Sequence, residues 1–215
     1  MAFSHKLGTT ARTVIQHILD IDKLKDARIL FSGALATGPY STNFPTTKSP
    51  ELHILVWVPE DRTSERLRIF VPRTIHSTFP SIYDWRVETP LKAQNGVSVF
   101  FHPLTEFWWM NKWSLVLASD KFGPSDLPLL PLTDLLVYEV ANARVRQTCL
   151  RTIPIDPTLL EFLRALRYAR YRLSHSSYQL EALTSNIQHF AESAKTTKLA
   201  CRTLFQLPGG LPIDP

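Results

Sequence analysis

The sequence predicts an α+β fold, a mixed sheet of about five strands with flanking helices. Three features point there. Short apolar runs rich in β-branched and aromatic residues (RILFS, LHILVWV, GVSVFFH) are bounded by Gly, Pro and Asn, as buried strands are. Charged segments with helical spacing separate some of these runs. Towards the C-terminus, Leu159, Phe162, Leu163, Leu166 and Leu173 form one helical stripe behind Pro157.

From Thr10 to Lys25, Val14, Ile15, Ile18, Leu19 and Ile21 recur near the helical period, with Thr9 or Thr10 as N-cap. Arg28 to Ser32 reads as a buried strand stopped at Gly33. The Gly-, Pro- and Ser-rich segment after it reads as loop, with one helical turn at Ala34 to Thr37. SPELHILVWVPE then gives a strand that starts at Glu51, is buried on both faces and ends at Pro59. Acidic residues precede arginines from Glu60 to Phe70, the charge order that a helix dipole favours, so a short helix is expected there.

Pro72 and Pro80 bracket an irregular connection. Tyr83 to Glu88 and Gly96 to His102 read as a hairpin around Gln94, Asn95 and Gly96, and Phe107 to Ala118 reads as a further strand. A helix is expected from Asp134 to Gln147 with Leu135, Leu136, Val140 and Ala143 on its apolar side. Further helices are expected after Pro157 and from Tyr178 to Phe205. The expected organisation is an α/β core over 1–152, a helical region over 153–207 packed on it, and a tail over 208–215.

A chain of 215 residues can bury a sizeable core without covalent staples. Cys149 and Cys201 lie far apart with no Cys/His ligand spacing, so packed thiols are expected, with no metal site and no cofactor. No apolar run is long enough to span a bilayer, and the first twenty residues lack a secretory apolar stretch; a cytoplasmic protein is expected. The net charge of +5 is dispersed along the chain, which argues against a nucleic-acid surface. Arg164, Arg167 and Arg172 fall away from the leucine stripe and read as a solvated face.

The order helix, strand ending in Ser32-Gly33, loop, strand opening at Glu51, helix and further strands has a family likeness. With FSGALATG at the glycine turn, SPELHILV at the acidic strand and PLTDLLVYEVANARVR at a following helix, residues 10 to 147 resemble the nucleotidyltransferase superfamily. The likeness is to the minimal nucleotidyltransferases and abortive-infection toxin relatives. The family pattern serves two-metal phosphoryl chemistry: closely set carboxylates hold magnesium while the glycine turn approaches a triphosphate. This chain departs from it. Glu51 takes the first acidic position, His53 the second, GVSVFFH supplies no third carboxylate, and Glu139 stands where a lysine is usual.

The resemblance therefore implies a degenerate member whose cleft binds a small molecule or nucleotide without magnesium-dependent transfer. Glu51 and His53, two apart on a strand, share a face and form the expected proton-transfer pair. Ser32, Gly33, His102, Trp109 and Trp113 are the expected ligand-binding residues, with His76 able to join the histidines. Trp57 and Trp85 add material for an aromatic pocket. The same cleft also suits a metal-free tailoring enzyme performing acid/base, cyclase or isomerase chemistry. A third reading is a protein-interaction module with a filled cleft. No GxSxG elbow accompanies Ser32, so a serine hydrolase is not indicated.

Overall fold

The computed structural model describes residues 2–38, 50–59, 64–87, 89–107, 109–110, 115–120, 126–149, 176–188 and 202. Two compact units emerge: Met1–Ala36 with Thr46–Leu130, and Thr37–Pro45 with Pro131–Pro215.

The first unit is an α+β structure around one mixed sheet. Its elements are α1 (Ala2–Leu19), β1 (Arg28–Ser32), a helical turn α2 (Ala34–Thr37) at the unit boundary, β2 (Glu51–Trp57), α3 (Ser64–Thr78), β3 (Tyr83–Asp84), β4 (Leu91–Ala93), β5 (Ser98–Pro103), a 3-10 turn (Leu104–Glu106) and β6 (Val116–Leu117). Among the described residues the sheet has six strands in the order β3-β4-β5-β2-β1-β6, one more than expected. The β2–β5 pair is parallel and all the others are antiparallel. A parallel neighbour requires a crossover, and α3 is the helix in it.

One sheet face packs on α1 and α3. Leu7, Ala11, Val14, Ile15 and Ile18 from α1 and Leu67, Val71 and Ile75 from α3 join Ile29, Phe31, Leu52, Ile54, Val56, Val99 and Phe101 in a single core. Alternation along the strands puts Arg28, Leu30 and Ser32, Glu51, His53, Leu55 and Trp57, and Ser98, Phe100 and His102 on the opposite face. There Leu30, Ser32 and Leu55 are buried.

The elements differ from expectation in four places. The first helix begins at Ala2, not Thr10, and Thr9 and Thr10 lie inside it. Their hydroxyls donate to the carbonyls of His5 and Lys6 at 2.9 and 3.0 Å instead of capping. The expected irregular connection around Pro72 is helical, because α3 runs through Pro72 to Thr78. A mid-helix proline costs roughly 3 kcal/mol. Burying Leu67, Val71 and Ile75 at i, i+4 and i+8 contributes about 1.5–3 kcal/mol each and outweighs it.

The expected hairpin between Tyr83–Glu88 and Gly96–His102 is interrupted by β4, which pairs β3 on one side and β5 on the other. The Gln94-Asn95-Gly96 turn thus closes β4 onto β5, with Gly96 at φ +80° and Ala93 N–H donating to Val97 C=O at 2.9 Å. Of the expected long strand from Phe107 to Ala118, Val116–Leu117 is the part that is strand among the described residues. Phe107 follows the 3-10 turn and Trp109 lies in a turn.

In the second unit, α4 (Leu132–Cys149) packs with α5 (Ser177–Gln188). Leu135, Leu136 and Val140 are buried as expected, together with Ala182 and Leu183. The helix after Pro157 with its arginines lies outside the described residues, as do Trp113 and Cys201. No helix among the described residues is long and apolar enough to cross a membrane.

Candidate functional site

The site forms on β2 and β5, where the parallel register places His53 opposite Phe100 and Leu55 opposite His102. His53 Nδ1 lies 2.9 Å from His102 Nε2. On its other side His53 Nε2 lies 3.4 Å from Glu51 Oε2. The expected pairing of Glu51 with His53 on one face is thus present, and His102 extends it into a chain of three groups. Glu51 is half-exposed, at 46%, while the His53 side chain is 14% exposed, so the chain runs from solvent into the fold.

Aromatic packing fixes both rings. His53 stacks on Phe100 at 4.9 Å and 7°, and meets His102 edge to edge with the ring planes only 15° apart, the centroids being 5.2 Å apart across the 2.9 Å contact. Phe107 meets His102 edge-on at 6.4 Å and in turn meets Trp109 edge-on at 5.5 Å. Trp109 is therefore part of the aromatic backing of the histidines.

Gly33 explains why the glycine follows β1. It sits at φ +63°, and a Cβ there would lie 2.9 Å from His53 Cδ2. Both the backbone conformation and the close approach of the imidazole require glycine. Ser32, opposite His53 in the β1–β2 register, is fully buried, and its Oγ has no hydrogen-bond partner among the described residues.

Ionised Glu51 only accepts hydrogen bonds, so if neutral His53 turns an Nε2–H towards it, His53 presents a bare Nδ1 to His102 Nε2–H. The direction is then His102 to His53 to Glu51. Such a chain can pass a proton between the carboxylate and His102 without large movement of any ring. His76 does not join it: it lies on α3 beside Trp85, at 6.3 Å and 47°. Among the described residues no group of three or more His, Cys, Asp or Glu side chains is arranged to hold a metal ion.

His102 also lines a cavity of about 370 Å³ between α3, the 85–91 segment and the end of β5. Ile69, Pro72, Trp85, Pro90 and Leu91 supply apolar wall, and Arg68, Thr89 and His102 line it as well. Arg68 is held by a two-pronged ion pair to Glu106, Nε to Oε1 at 2.7 Å and Nη2 to Oε2 at 2.6 Å. That hydrogen bonding raises the guanidinium pKa, with the nearby charge adding to it and burial opposing.

Comparison with protein-family models and with curated proteins finds no match for this chain. Its chemistry is read from its own residues.

Two arrangements were not visible in the sequence. The Arg68–Glu106 pair joins residues 38 positions apart, and no local pattern marks it. His17 is buried on α1, with Nδ1 2.8 Å from the Tyr83 hydroxyl and its ring stacked on Phe79 at 3.9 Å. Burial lowers the His17 pKa, with Asp20 opposing, and burial pushes Tyr83 up to about 12. A histidine on the otherwise apolar Val14/Ile18 side of α1 is the one sequence signal that marks this pair.

Proposed function

We propose that this chain is a degenerate relative of the nucleotidyltransferase fold that binds a small molecule or nucleotide at its β2–β5 site without magnesium-dependent transfer. The observation that carries the reading is the Glu51–His53–His102 chain beside the Gly33 turn. The two positions that depart from carboxylate are imidazoles hydrogen-bonded to each other, a donor set poorly matched to magnesium. The antiparallel β1–β2 pair, the glycine turn after β1 and the helical crossover from β2 to parallel β5 support the fold part of the reading. The ligand occupies the cavity that His102 lines.

Thermal-shift titration tests it. Nucleotides or aromatic small molecules raise the melting temperature equally with and without magnesium, since binding to the folded state stabilises it by mass action. A shift that appears only with magnesium or manganese overturns the reading.

A second reading has its own support. His102 lines the cavity while its neighbours His53 and Glu51 lead away from it to a half-exposed carboxylate, which suits metal-free acid/base chemistry on a bound ligand. In that case His102 exchanges the proton with the ligand, His53 relays it, and Glu51 stabilises the charged relay. Loss of turnover in both Glu51→Gln and His53→Ala, with ligand binding retained, distinguishes this reading from binding alone.

A further inference from the structure

Among the described residues, the peptide group of Phe101 in the cavity beside His102 lacks a ladder partner. Ser98 N–H donates to Pro50 C=O at 2.9 Å, so the peptide groups of Ser98, Phe100 and His102 turn towards β2. By alternation those of Val97, Val99 and Phe101 turn the other way, as the bond from Ala93 N–H to Val97 C=O confirms. There β4 is the partner, but its pairing stops at Leu91 opposite Val99.

Continuing the antiparallel register would set Thr89 opposite Phe101. Thr89 has its N–H and hydroxyl committed elsewhere. Its N–H donates to Arg86 C=O at 3.0 Å, and its hydroxyl donates to the same carbonyl at 2.8 Å and accepts from Arg86 N–H at 3.1 Å. Pro90, the next residue along, has no N–H to offer. The sheet therefore opens at this point, and the opening is the cavity, which Phe101, Thr89 and Pro90 all line. Among the described residues nothing pairs with the Phe101 N–H and C=O.

An unpaired peptide group on an apolar wall is costly unless it meets a partner. In an antiparallel ladder, one residue's N–H and C=O are matched by the C=O and N–H of one opposing residue. The complement is an extended amino-acid unit that is amide-linked on both sides. A volume of about 370 Å³ admits one such unit with a large apolar side chain, but not a folded domain.

We infer that the cavity binds a peptidyl ligand, a short extended peptide or an N-acyl amino-acid amide, by pairing one of its residues with Phe101. The ligand residue's side chain lies against Trp85, Ile69 and Pro72, and its neighbouring group comes to the His102 wall. This is β-strand addition reduced to a single residue: main-chain bonds supply orientation and the apolar wall supplies selection for side-chain size. The inference rests on the reading that this cavity is the ligand site, and it specifies the ligand's class.

The test uses the whole protein, N-acetyl-L-phenylalanine methylamide as probe, and amide NMR as readout. The probe shifts the Phe101 amide resonance and binds about tenfold more tightly than its analogue methylated on the phenylalanine nitrogen, which lacks one hydrogen bond. Ile69→Trp, a substitution at a partly exposed wall position, abolishes the shift while the far-ultraviolet spectrum and melting temperature are kept. Equal binding of the two probes, or binding that leaves Phe101 unmoved, overturns the peptidyl class. If the probe fails but a nucleotide or aromatic compound shifts Phe101 and is blocked by Ile69→Trp, the class is wrong and the cavity reading stands. If no probe, nucleotide or aromatic compound perturbs the cavity resonances, both are wrong.

Discussion

His53 and His102 meet Nδ1 to Nε2 at 2.9 Å across the parallel strands β2 and β5, and only one of those two nitrogens can carry the hydrogen. Glu51 on the far side of His53, 3.4 Å from its Nε2, favours the Nε2–H tautomer in both neutral rings. Long-range proton–nitrogen correlation spectra at neutral pH are expected to show that tautomer for both residues; an Nδ1–H signal for His53 contradicts the chain direction. If the cavity supports proton transfer, His102→Phe lowers turnover by roughly 10²–10⁴-fold. The edge-on contact with Phe107 is retained in that variant, so a smaller loss assigns His102 a packing role.

Gly33→Ala tests the other side of the site. Left-handed backbone costs an L-residue roughly 1–2 kcal/mol, and the new methyl would also sit 2.9 Å from His53 Cδ2. A total loss of roughly 2–4 kcal/mol in urea denaturation is expected. In a His53→Ala background the steric part disappears and the backbone part remains, so the two substitutions together cost less than their sum. Additivity would mean that the imidazole moves aside freely.

Asp134 in the first turn of α4 accepts a hydrogen bond from Gln179 Nε2 of α5 at 2.5 Å. Burial nevertheless raises its pKa, with that hydrogen bond opposing. A carboxyl with a folded pKa above its ordinary 3.8 binds more protons folded than unfolded, so its ionisation lowers stability as pH rises through that window. Asp134→Asn keeps the acceptor oxygen and removes the charge. It is expected to raise the melting temperature at pH 7 and to have no effect below about pH 3.8; a loss at pH 7 would mean that the helix-dipole benefit of the charge dominates.

The strands that carry the site are legible because both local signals agree on them. RILFS and ELHILVW have β-rich composition and clear stops at Gly33 and Pro59, and the Glu51–His53 spacing follows from strand alternation. Leu91–Ala93 escapes notice because three residues between Pro90 and a turn cannot display a period. Pro72 misleads because local propensity opposes a helix that the core stripe Leu67, Val71 and Ile75 imposes. The tryptophan cluster is legible in part: side-chain type marks aromatic packing, and Trp109 does pack on Phe107 beside His102, but only tertiary structure brings Trp85 to the cavity. His102 needed the β2–β5 register to become the partner of His53.

His17 gives the fold an acid-sensitive point away from the candidate site. Its folded pKa lies below the ordinary 6.5 because burial between Phe79 and Tyr83 disfavours the imidazolium more than Asp20 favours it. The unfolded chain therefore binds more protons across the interval between the two values. The stability contribution is fully present above about pH 6.5 and is lost as pH falls below it. The wild-type melting temperature is expected to fall between pH 7.5 and pH 5, and His17→Phe, which keeps the ring stack, is expected to remove part of that slope. Tyr83→Phe deletes the hydroxyl 2.8 Å from His17 Nδ1 and costs about 1–3 kcal/mol at pH 7.5, because a buried polar atom loses its partner. In the His17→Phe background the same change costs little, since the hydroxyl no longer has an imidazole to meet. An unchanged pH slope in His17→Phe would place the acid sensitivity elsewhere.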